Sequence, residues 1–240
     1  MGETVILLLR ALALLAVLGG VAATAFVLAP RFLPAPPVRD RALPALPDRA
    51  TEAPLSVVAF GTSLTASNPW PEALQAELAS CLDAPVTVQR VAGSGQGSTW
   101  ALAQWQQVAA QEPDVILLEF AINDGDLWDG ISLRQSRAQH AELLTQLTGA
   151  LPQARILLMV MNPVTGLQRL KRPRLGQYYA ISHALAEEYD TGLADFAPRW
   201  QALPPGWAPD GLHPSAEAAT AMLPPVLAPM IAAAAGQTCP

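Results

Sequence analysis

Five short apolar runs, separated by amphipathic segments, constrain the fold of this chain more than any other feature. The runs predict strands over residues 55–60, 86–91, 114–120, 155–161 and 192–196. They are interpreted as continuous apolar strands, which are typical of a parallel sheet covered on both faces. Between the runs, apolar residues recur at helical spacing. This alternation implies right-handed crossovers, so the sequence predicts a three-layer α/β/α sandwich with a parallel sheet of about five strands.

An uninterrupted apolar segment precedes this region. Residues 11–29 carry no charged side chain, and about 19 apolar residues suffice to span a bilayer. Signal peptides usually have a shorter apolar stretch of about 7–15 residues. Residues 1–29 are therefore interpreted as a transmembrane anchor, with a signal peptide cleaved at Ala23-Thr24-Ala25 as the alternative.

A proline-rich stretch joins the anchor to the region of alternating strands and helices. Residues 30–54 contain seven prolines among arginine and alanine. This composition predicts a semi-rigid, extended spacer that takes no part in a core and holds the domain off a membrane. The predicted organisation is thus an anchor over 1–29, a linker over 30–54 and one domain over 55–240.

Charge and cysteine content exclude several classes of protein. Only 14% of residues are charged and 51% are hydrophobic, which excludes disorder for most of the chain. The net charge is −6 and no basic stripe is interleaved with aromatic residues, so nucleic acid is not an expected partner. Cys81 and Cys239 lack the spacing of a zinc or thioredoxin-like site. They form either a long-range disulfide or two unpaired thiols.

Polar or glycine-rich clusters follow three predicted strands, and a fourth precedes the last helix. The clusters are Gly61-Thr62-Ser63-Leu64-Thr65, Gly93-Ser94-Gly95-Gln96-Gly97, Asn123-Asp124 and Asp210-Gly211-Leu212-His213. Open α/β sheets bind ligands at the carboxyl ends of their strands. A serine hydroxyl needs a base such as histidine, and a carboxylate can hold the other ring nitrogen of that histidine. Singly, each cluster is also compatible with an ordinary turn or capped loop.

Taken together and in this order, the clusters resemble the four blocks of the SGNH, or GDSL-type, hydrolases. The resemblance implies a flavodoxin-like fold with Ser63 as nucleophile, His213 as its base and Asp210 as the acid that orients the base. It also implies an oxyanion hole formed by the backbone N–H groups of Ser63 and Gly95 and the side-chain amide of Asn123. Neither a metal nor a cofactor is implied.

Two positions depart from the pattern of that family. Thr62 stands where the family usually has aspartate, although that aspartate is not the proton acceptor. The second block is compressed and lacks its usual asparagine, which leaves Gly93 as an alternative to Gly95.

Other polar and aromatic residues are assigned roles around this site. Glu119 lies in an apolar strand and is expected to brace loop backbone, because a buried carboxyl group needs partners. Trp128 is interpreted either as part of the substrate pocket or as an aromatic residue that caps its loop. A basic loop follows the fourth predicted strand and could meet an anionic substrate or lipid headgroups, or could be merely solvated. Its basic residues are Arg169, Lys171, Arg172 and Arg174, with Arg172 as the candidate for substrate binding.

The resulting hypothesis is a serine ester hydrolase that forms an acyl-enzyme on carboxylic esters, such as O-acyl groups of envelope polysaccharide. A lysophospholipase or acyl thioesterase and a catalytically idle binding protein of the same fold are the alternatives. The cysteines and the hydrolase chemistry favour a periplasmic domain on a single-pass bacterial membrane anchor, or secretion after cleavage. Arginines after the apolar segment argue against this by the positive-inside rule, but long domains translocate regardless of charge.

Overall fold

The computed structural model describes residues 2–28, 37–47 and 50–239. The strands are β1 (Leu55–Gly61), β2 (Val86–Ala92), β3 (Val115–Glu119), β4 (Arg155–Val160) and β5 (Gly192–Asp195). The helices are α1 (Gly2–Leu28), α2 (Ser63–Ala66), α3 (Trp70–Cys81), α4 (Ser98–Ala109), α5 (Ala121–Asp124), α6 (Leu133–Ala150), α7 (Gln168–Lys171), α8 (Leu175–Glu188), α9 (Ala197–Gln201), α10 (Ala216–Met222) and α11 (Pro224–Ala234). Each observed strand lies within one residue of its predicted bounds.

The five strands form one parallel sheet in the order β2-β1-β3-β4-β5. From β1 the chain moves outward to β2, and it then returns to β3 and continues in the opposite direction. Right-handed crossovers therefore place α3 on one face and α4, α6 and α8 on the other. Helices α10 and α11 pack with α3, and α6 packs with both α4 and α8. The predicted three-layer sandwich is confirmed.

The reversal of strand order determines where a ligand can bind. It opens a crevice between the carboxyl ends of β1 and β3, the two neighbouring strands from which the chain leaves in opposite directions. All five residues of β3 are buried, as expected for a central strand. The edge strand β2 differs from the predicted continuous apolar strand, because most of its residues alternate between partial and full exposure.

Part of the proline-rich linker packs onto the domain, so the prediction of a free spacer over residues 30–54 is wrong for this part. Leu43 is only 6% exposed and belongs to the hydrophobic core. Arg41 and Leu193 exchange two backbone hydrogen bonds of 2.9 Å. An edge strand such as β5 leaves backbone groups unpaired, and the linker satisfies some of them. We call residues 37–47 the strap. Linker residues 30–36 and 48–49 lie outside the described residues.

Two further features bear on the predicted domain organisation. Cys81 and Cys239 form a disulfide, with their Cα atoms 5.2 Å apart, which joins the end of α3 to the C-terminal tail. Within α1, residues Ile6–Thr24 have a mean hydropathy of 2.4, and none of this stretch is buried. A second apolar stretch, Ala216–Ala234, is a poorer candidate for a membrane span because it forms the α10–α11 layer of the domain.

Candidate active site

Ser63, Gly95, Asn123 and His213 line one cavity of about 450 Å³ at the carboxyl edge of the sheet, and Asp210 lies behind His213. Ser63 follows β1, and Asn123 lies in α5, directly after β3. The long loop between α9 and α10 carries His213 into the same cavity. Loops from three distant parts of the chain therefore meet above the crevice between β1 and β3.

Three of these side chains form a continuous chain of hydrogen bonds. The Oγ atom of Ser63 lies 2.9 Å from Nε2 of His213. The Nδ1 atom of the same ring lies 2.6 Å from Oδ2 of Asp210. Nδ1 carries the ring proton if Asp210 is ionised, because an ionised carboxylate can only accept hydrogen bonds. Nε2 of the neutral ring is then free to accept the proton of the serine hydroxyl.

Local backbone structure keeps Asp210 ionised. Partial burial raises the pKa of Asp210, but hydrogen bonds from the His213 ring and from the N–H groups of His213 and Leu212 outweigh it and lower the pKa to about 2. The turn that aims these donors requires Gly211, which has a φ of +80°. A Cβ atom at this position would lie 2.5 Å from the carbonyl oxygen of Thr165. Glycine is therefore needed both for the backbone conformation and for the close approach.

The three residues predicted to form the oxyanion hole, Ser63, Gly95 and Asn123, all line this cavity. Ser63 is the first residue of α2, so its backbone N–H has no partner inside the helix. Gly95 lines the cavity with a φ of +71°, which glycine adopts readily. The Nδ2 atom of Asn123 donates to the carbonyl oxygen of Gln96 at 2.9 Å. This bond uses one of the two N–H groups of the amide and leaves the other for a ligand.

Comparison with known proteins is consistent with this arrangement. Residues 56–221 match the sequence profile of the GDSL-like lipase/acylhydrolase family. The chain belongs to that family. Membership makes it a hydrolase that acts on esters. A search of curated proteins finds no match.

Solved structures share the fold of this GDSL-like hydrolase. The lipase/acylhydrolase from Enterococcus faecalis superposes with a TM-score of 0.68 at 17% identity, covering 78% of this chain and 98% of the other. The acetylxylan esterase Axe2 from Geobacillus stearothermophilus gives a TM-score of 0.61 at 20% identity, covering 78% and 96%. At such low sequence identity, these structural similarities establish the shared fold, which is the parallel sheet with helices on both faces.

The position at which this GDSL-like hydrolase departs from its family has a clear structural role. Thr62 is the N-cap of α2, and its Oγ1 accepts a hydrogen bond from the N–H of Leu64, as an aspartate side chain could. The same hydroxyl lies 3.0 Å from both carboxyl oxygens of Glu119. An ionised aspartate could not donate to that carboxyl group, so threonine serves both contacts here.

Glu119 braces the turn that carries the nucleophile, as expected from the sequence. The N–H of Thr62 donates to its Oε1 at 2.6 Å, and the hydroxyl of Thr65 donates to the same oxygen at 2.8 Å. A Cβ atom at residue 61 would lie 2.2 Å from this oxygen, so Gly61 allows the carboxyl group to approach the turn. Burial raises the pKa of Glu119 to about 7, against the smaller opposing effect of these hydrogen bonds.

Sequence reasoning assigned no role to two residues that hold the loops of the site in place. Asn162 lies just past β4, and its Nδ2 donates to the carbonyl oxygen of Leu212 at 2.8 Å, beside His213. Asp124 is buried, and its carboxylate accepts hydrogen bonds from the N–H and the hydroxyl of Ser98, which fastens the glycine-rich loop to α5. Asp124 stands in the cluster that follows β3, and Asn162 is the second residue after β4, so the rule that located Ser63 could have given both residues a role.

The two tentative substrate-binding residues have different positions. The lining of the Ser63 cavity includes Arg172 but, within the described residues, not Trp128. The ring of Trp128 is largely exposed, and Nζ of Lys171 lies 4.1 Å from its centroid. Its backbone N–H donates to Oδ1 of Asp126 at 3.0 Å. Arg172 is buried and pairs with Asp126 at 2.8 Å, so it is not part of a solvated loop.

Proposed function

We propose that this chain is a serine ester hydrolase that works through an acyl-enzyme intermediate. The continuous hydrogen-bond chain from Ser63 through His213 to Asp210 is the observation that carries the proposal. His213 takes the hydroxyl proton as Ser63 Oγ attacks the carbonyl carbon of the ester. The protonated ring then gives this proton to the departing alcohol, which leaves the acyl group on Ser63. Water, activated by the same ring, attacks the acyl carbon and releases the acid.

In this proposal the oxyanion is stabilised by three N–H donors. They are the backbone groups of Ser63 and Gly95 and the second N–H of the Asn123 side chain. Gly95 is favoured over Gly93 because Gly95 lines the cavity. The bond from Asn123 to Gln96 holds the amide in place before the reaction, which is how such donors lower a barrier.

Labelling with a fluorophosphonate probe tests the nucleophile. The wild-type chain should be labelled and inactivated at one serine, and Ser63→Ala should abolish both labelling and ester hydrolysis. Ser80→Ala is the control, because Ser80 is exposed on α3, does not line the cavity and should keep full activity. Labelling that persists in Ser63→Ala at the wild-type rate would refute the assignment.

The cavity favours a short acyl group on a polar alcohol, and we propose O-acyl groups of envelope polysaccharide as the substrate class. Most side chains around Ser63 that could contact a substrate are polar. They are Ser67, Asn68, Ser94, Asn123, Arg172 and His213. The apolar part of the wall comes from Leu64, Leu212 and Pro214, and a long acyl chain would bury only part of its length against these three residues. Arg172 is proposed to contact substrate hydroxyls at the rim. The acetylxylan esterase that shares this fold acts on an ester of the same chemistry.

A chain-length series of nitrophenyl esters tests the acyl preference. We expect kcat/KM to be highest for acetate and to fall at least about tenfold by octanoate, since the small apolar wall of Leu64, Leu212 and Pro214 would bury only part of a long acyl chain. Release of acetate from an acetylated polysaccharide then tests the alcohol part. A preference that rises with chain length would favour the lysophospholipase or thioesterase alternative.

The domain is proposed to lie on the outer side of the membrane, held by α1. The 19 residues of Ile6–Thr24, which are apolar apart from Arg10 and Thr24, would extend about 28 Å as a helix, close to the thickness of a bilayer core. The disulfide supports an oxidising compartment, since such bonds are rare in the cytosol. A reporter that functions only outside the cytoplasm, fused to the C-terminus of the chain, should be active, and the fusion should fractionate with membranes. Activity of a cytoplasmic reporter alone would reverse this topology.

A further inference from the structure

We propose that an exposed apolar and basic surface beside the active site docks onto the membrane to which α1 anchors the chain. The surface consists of Leu127, Trp128, Leu167 and Leu170 with the basic residues Arg169, Lys171 and Arg174, and we call it the Trp128 face. The proposal rests on the anchoring role given above to α1. It adds an orientation, in which the carboxyl edge of the sheet faces the bilayer.

Exposed apolar side chains of the folded domain are concentrated at this face. Outside α1, six large apolar side chains of the described residues are exposed, and four of them belong to the Trp128 face. Their exposed fractions are 59% for Leu127, 77% for Trp128, 76% for Leu167 and 43% for Leu170. Single exposed apolar residues are normal on a soluble surface, but a cluster of this kind marks an interaction site.

Residues from two parts of the chain meet at this surface. Leu167, Leu170 and Lys171 stand at positions i, i+3 and i+4 of α7 and its N-cap, and so share one side of that turn. The backbone N–H of Leu127 donates to the carbonyl oxygen of Lys171 at 2.9 Å, which joins the loop after α5 to the end of α7. Nζ of Lys171 lies over the ring of Trp128 at 4.1 Å from its centroid. A tryptophan with an apolar body and a polar N–H, next to a lysine, suits the boundary between headgroups and acyl chains.

The charge of the face identifies an anionic lipid surface as its partner. Three basic side chains accompany the apolar residues: Arg174 is exposed, and Arg169 and Lys171 are partly exposed. The acidic residues adjacent to Leu127 and Trp128 are Asp126, which pairs with Arg172, and Asp129. The whole chain has a net charge of −6, so this local excess of positive charge runs against the average of the molecule. Basic residues near an anionic leaflet contribute to membrane binding.

The tether enters the domain at this face. Pro37, the first described residue of the strap, lies around the same cavity as Arg169 of α7 and Pro173 just after that helix. Only residues 29–36 separate Pro37 from the end of α1, and this length of chain can span at most about 30 Å. In the structure α1 itself contacts α7. A bilayer that holds α1 is therefore within reach of the Trp128 face.

Docking by this face would hold the catalytic cavity at the membrane surface. The carboxylate of Asp126 accepts a hydrogen bond from the backbone N–H of Trp128 and forms an ion pair with Arg172 at 2.8 Å. Arg172 in turn lines the Ser63 cavity and donates to the carbonyl oxygen of Ile122. The face and the cavity are thus connected through buried polar contacts. Esters close to the bilayer would reach Ser63 more readily than esters far from it.

Fluorescence quenching by brominated lipids tests the proposal on the full chain in vesicles. Vesicles of phosphatidylcholine with phosphatidylglycerol, brominated near the headgroup, should quench tryptophan emission. Trp128→Phe should remove this lipid-dependent quenching. Trp105→Phe is the matched control, because Trp105 is partly exposed on α4 and should leave the quenching unchanged.

Two further variants test the partners of Trp128. The triple variant Leu127→Ser, Leu167→Ser, Leu170→Ser should lose the quenching while it hydrolyses a soluble nitrophenyl ester normally, which shows that the fold is intact. Lys171→Gln with Arg174→Gln should lose the increase in quenching that phosphatidylglycerol produces over phosphatidylcholine alone. Quenching that is equal in Trp128→Phe and wild type would overturn the proposal.

Three other outcomes are decisive. Ser63→Ala should be quenched as strongly as wild type, so failure of the esterase mechanism and failure of docking are distinguishable. A chain that does not float with the vesicles would overturn both the anchor and the docking. A detergent-solubilised dimer that the triple variant dissociates, without quenching in vesicles, would overturn the membrane assignment in favour of a second copy.

Discussion

At the scale of single residues, Glu119 places a carboxyl group at the end of the central strand β3, directly beneath the turn that carries Ser63. Burial of a charged group is costly unless it is paired or neutralised. Here the carboxyl accepts three hydrogen bonds from the turn, one from a backbone N–H and two from threonine hydroxyls. The residue touches neither His213 nor Ser63 in these contacts, so we interpret Glu119 as a positioning residue.

The raised pKa of Glu119 predicts a specific pH dependence of stability. In the folded chain burial raises the pKa to about 7 from 4.5. Between these values the folded chain holds a proton that the unfolded chain has lost, so the free energy of unfolding falls as pH rises. Glu119→Gln should remove this component, on the order of 3 kcal/mol, because glutamine stays neutral. The Tm of the variant minus that of wild type should therefore increase from pH 5 to pH 8.

A surface glutamate provides the control for this measurement. Glu142 is exposed on α6, and Glu142→Gln should shift Tm by the same small amount at every pH. Parallel Tm profiles for wild type and Glu119→Gln would contradict the prediction.

At the scale of elements, the strap changes what the proline-rich linker does. It runs beside β5, pairs with Leu193 and places Leu43 in the core. Asp40 forms an ion pair with Arg199 and accepts a hydrogen bond from the backbone N–H of Asp195. The strap thus covers the edge of the sheet, and it shortens the free tether to fewer residues than the composition suggests.

Truncation of the buried strap residue should destabilise the whole domain. Leu43→Ala leaves a cavity against β5 and should lower the free energy of unfolding by about 2–4 kcal/mol. Denaturant titration of the full chain in detergent measures the change. Val38→Ala, an exposed strap position, should have an effect below about 0.5 kcal/mol. Equal effects of the two substitutions would mean that the strap does not pack in solution.

At the scale of the whole molecule, the disulfide joins two parts of the chain that are 158 residues apart in sequence. It fixes the tail beyond α11 to the end of α3, and these two helices pack together on one face of the sheet. Among the described residues, neither cysteine lines the cavity that contains Ser63, so the disulfide lies outside the active site.

Removal of the disulfide should therefore affect stability but not catalysis. Cys81→Ser with Cys239→Ser should lower the free energy of unfolding by up to about 5 kcal/mol, the chain-entropy value for so long a loop. The kcat/KM for a soluble ester at room temperature should be unchanged. Reduction of the disulfide in the wild-type chain should lower the free energy of unfolding by the same amount as the double substitution. A loss of activity in a folded double variant would show that the disulfide supports the site.

The sequence by itself determined the sheet, its helical layers and the order of the four clusters, because strand–helix alternation and strand-end position follow from local pattern. It also predicted that Ser63 and Asn123 share a site, since the carboxyl ends of parallel strands share an edge. The roles of His213 and Asp210 came from the resemblance to the GDSL-type hydrolases. The expected bracing role of Glu119 followed from the sequence itself, because an acidic residue inside an apolar strand must find partners.

Only the tertiary structure decided how side chains from distant segments meet. Leu43 packs in the core because an uncovered edge strand lies beside it, which proline content does not reveal. Trp128 lies exposed outside the cavity, and Arg172 is buried against the carboxylate of Asp126, which also accepts a hydrogen bond from the backbone N–H of Trp128. Composition and periodicity report the local preference of a segment. Contacts between segments far apart in sequence depend on the packed arrangement of the whole chain.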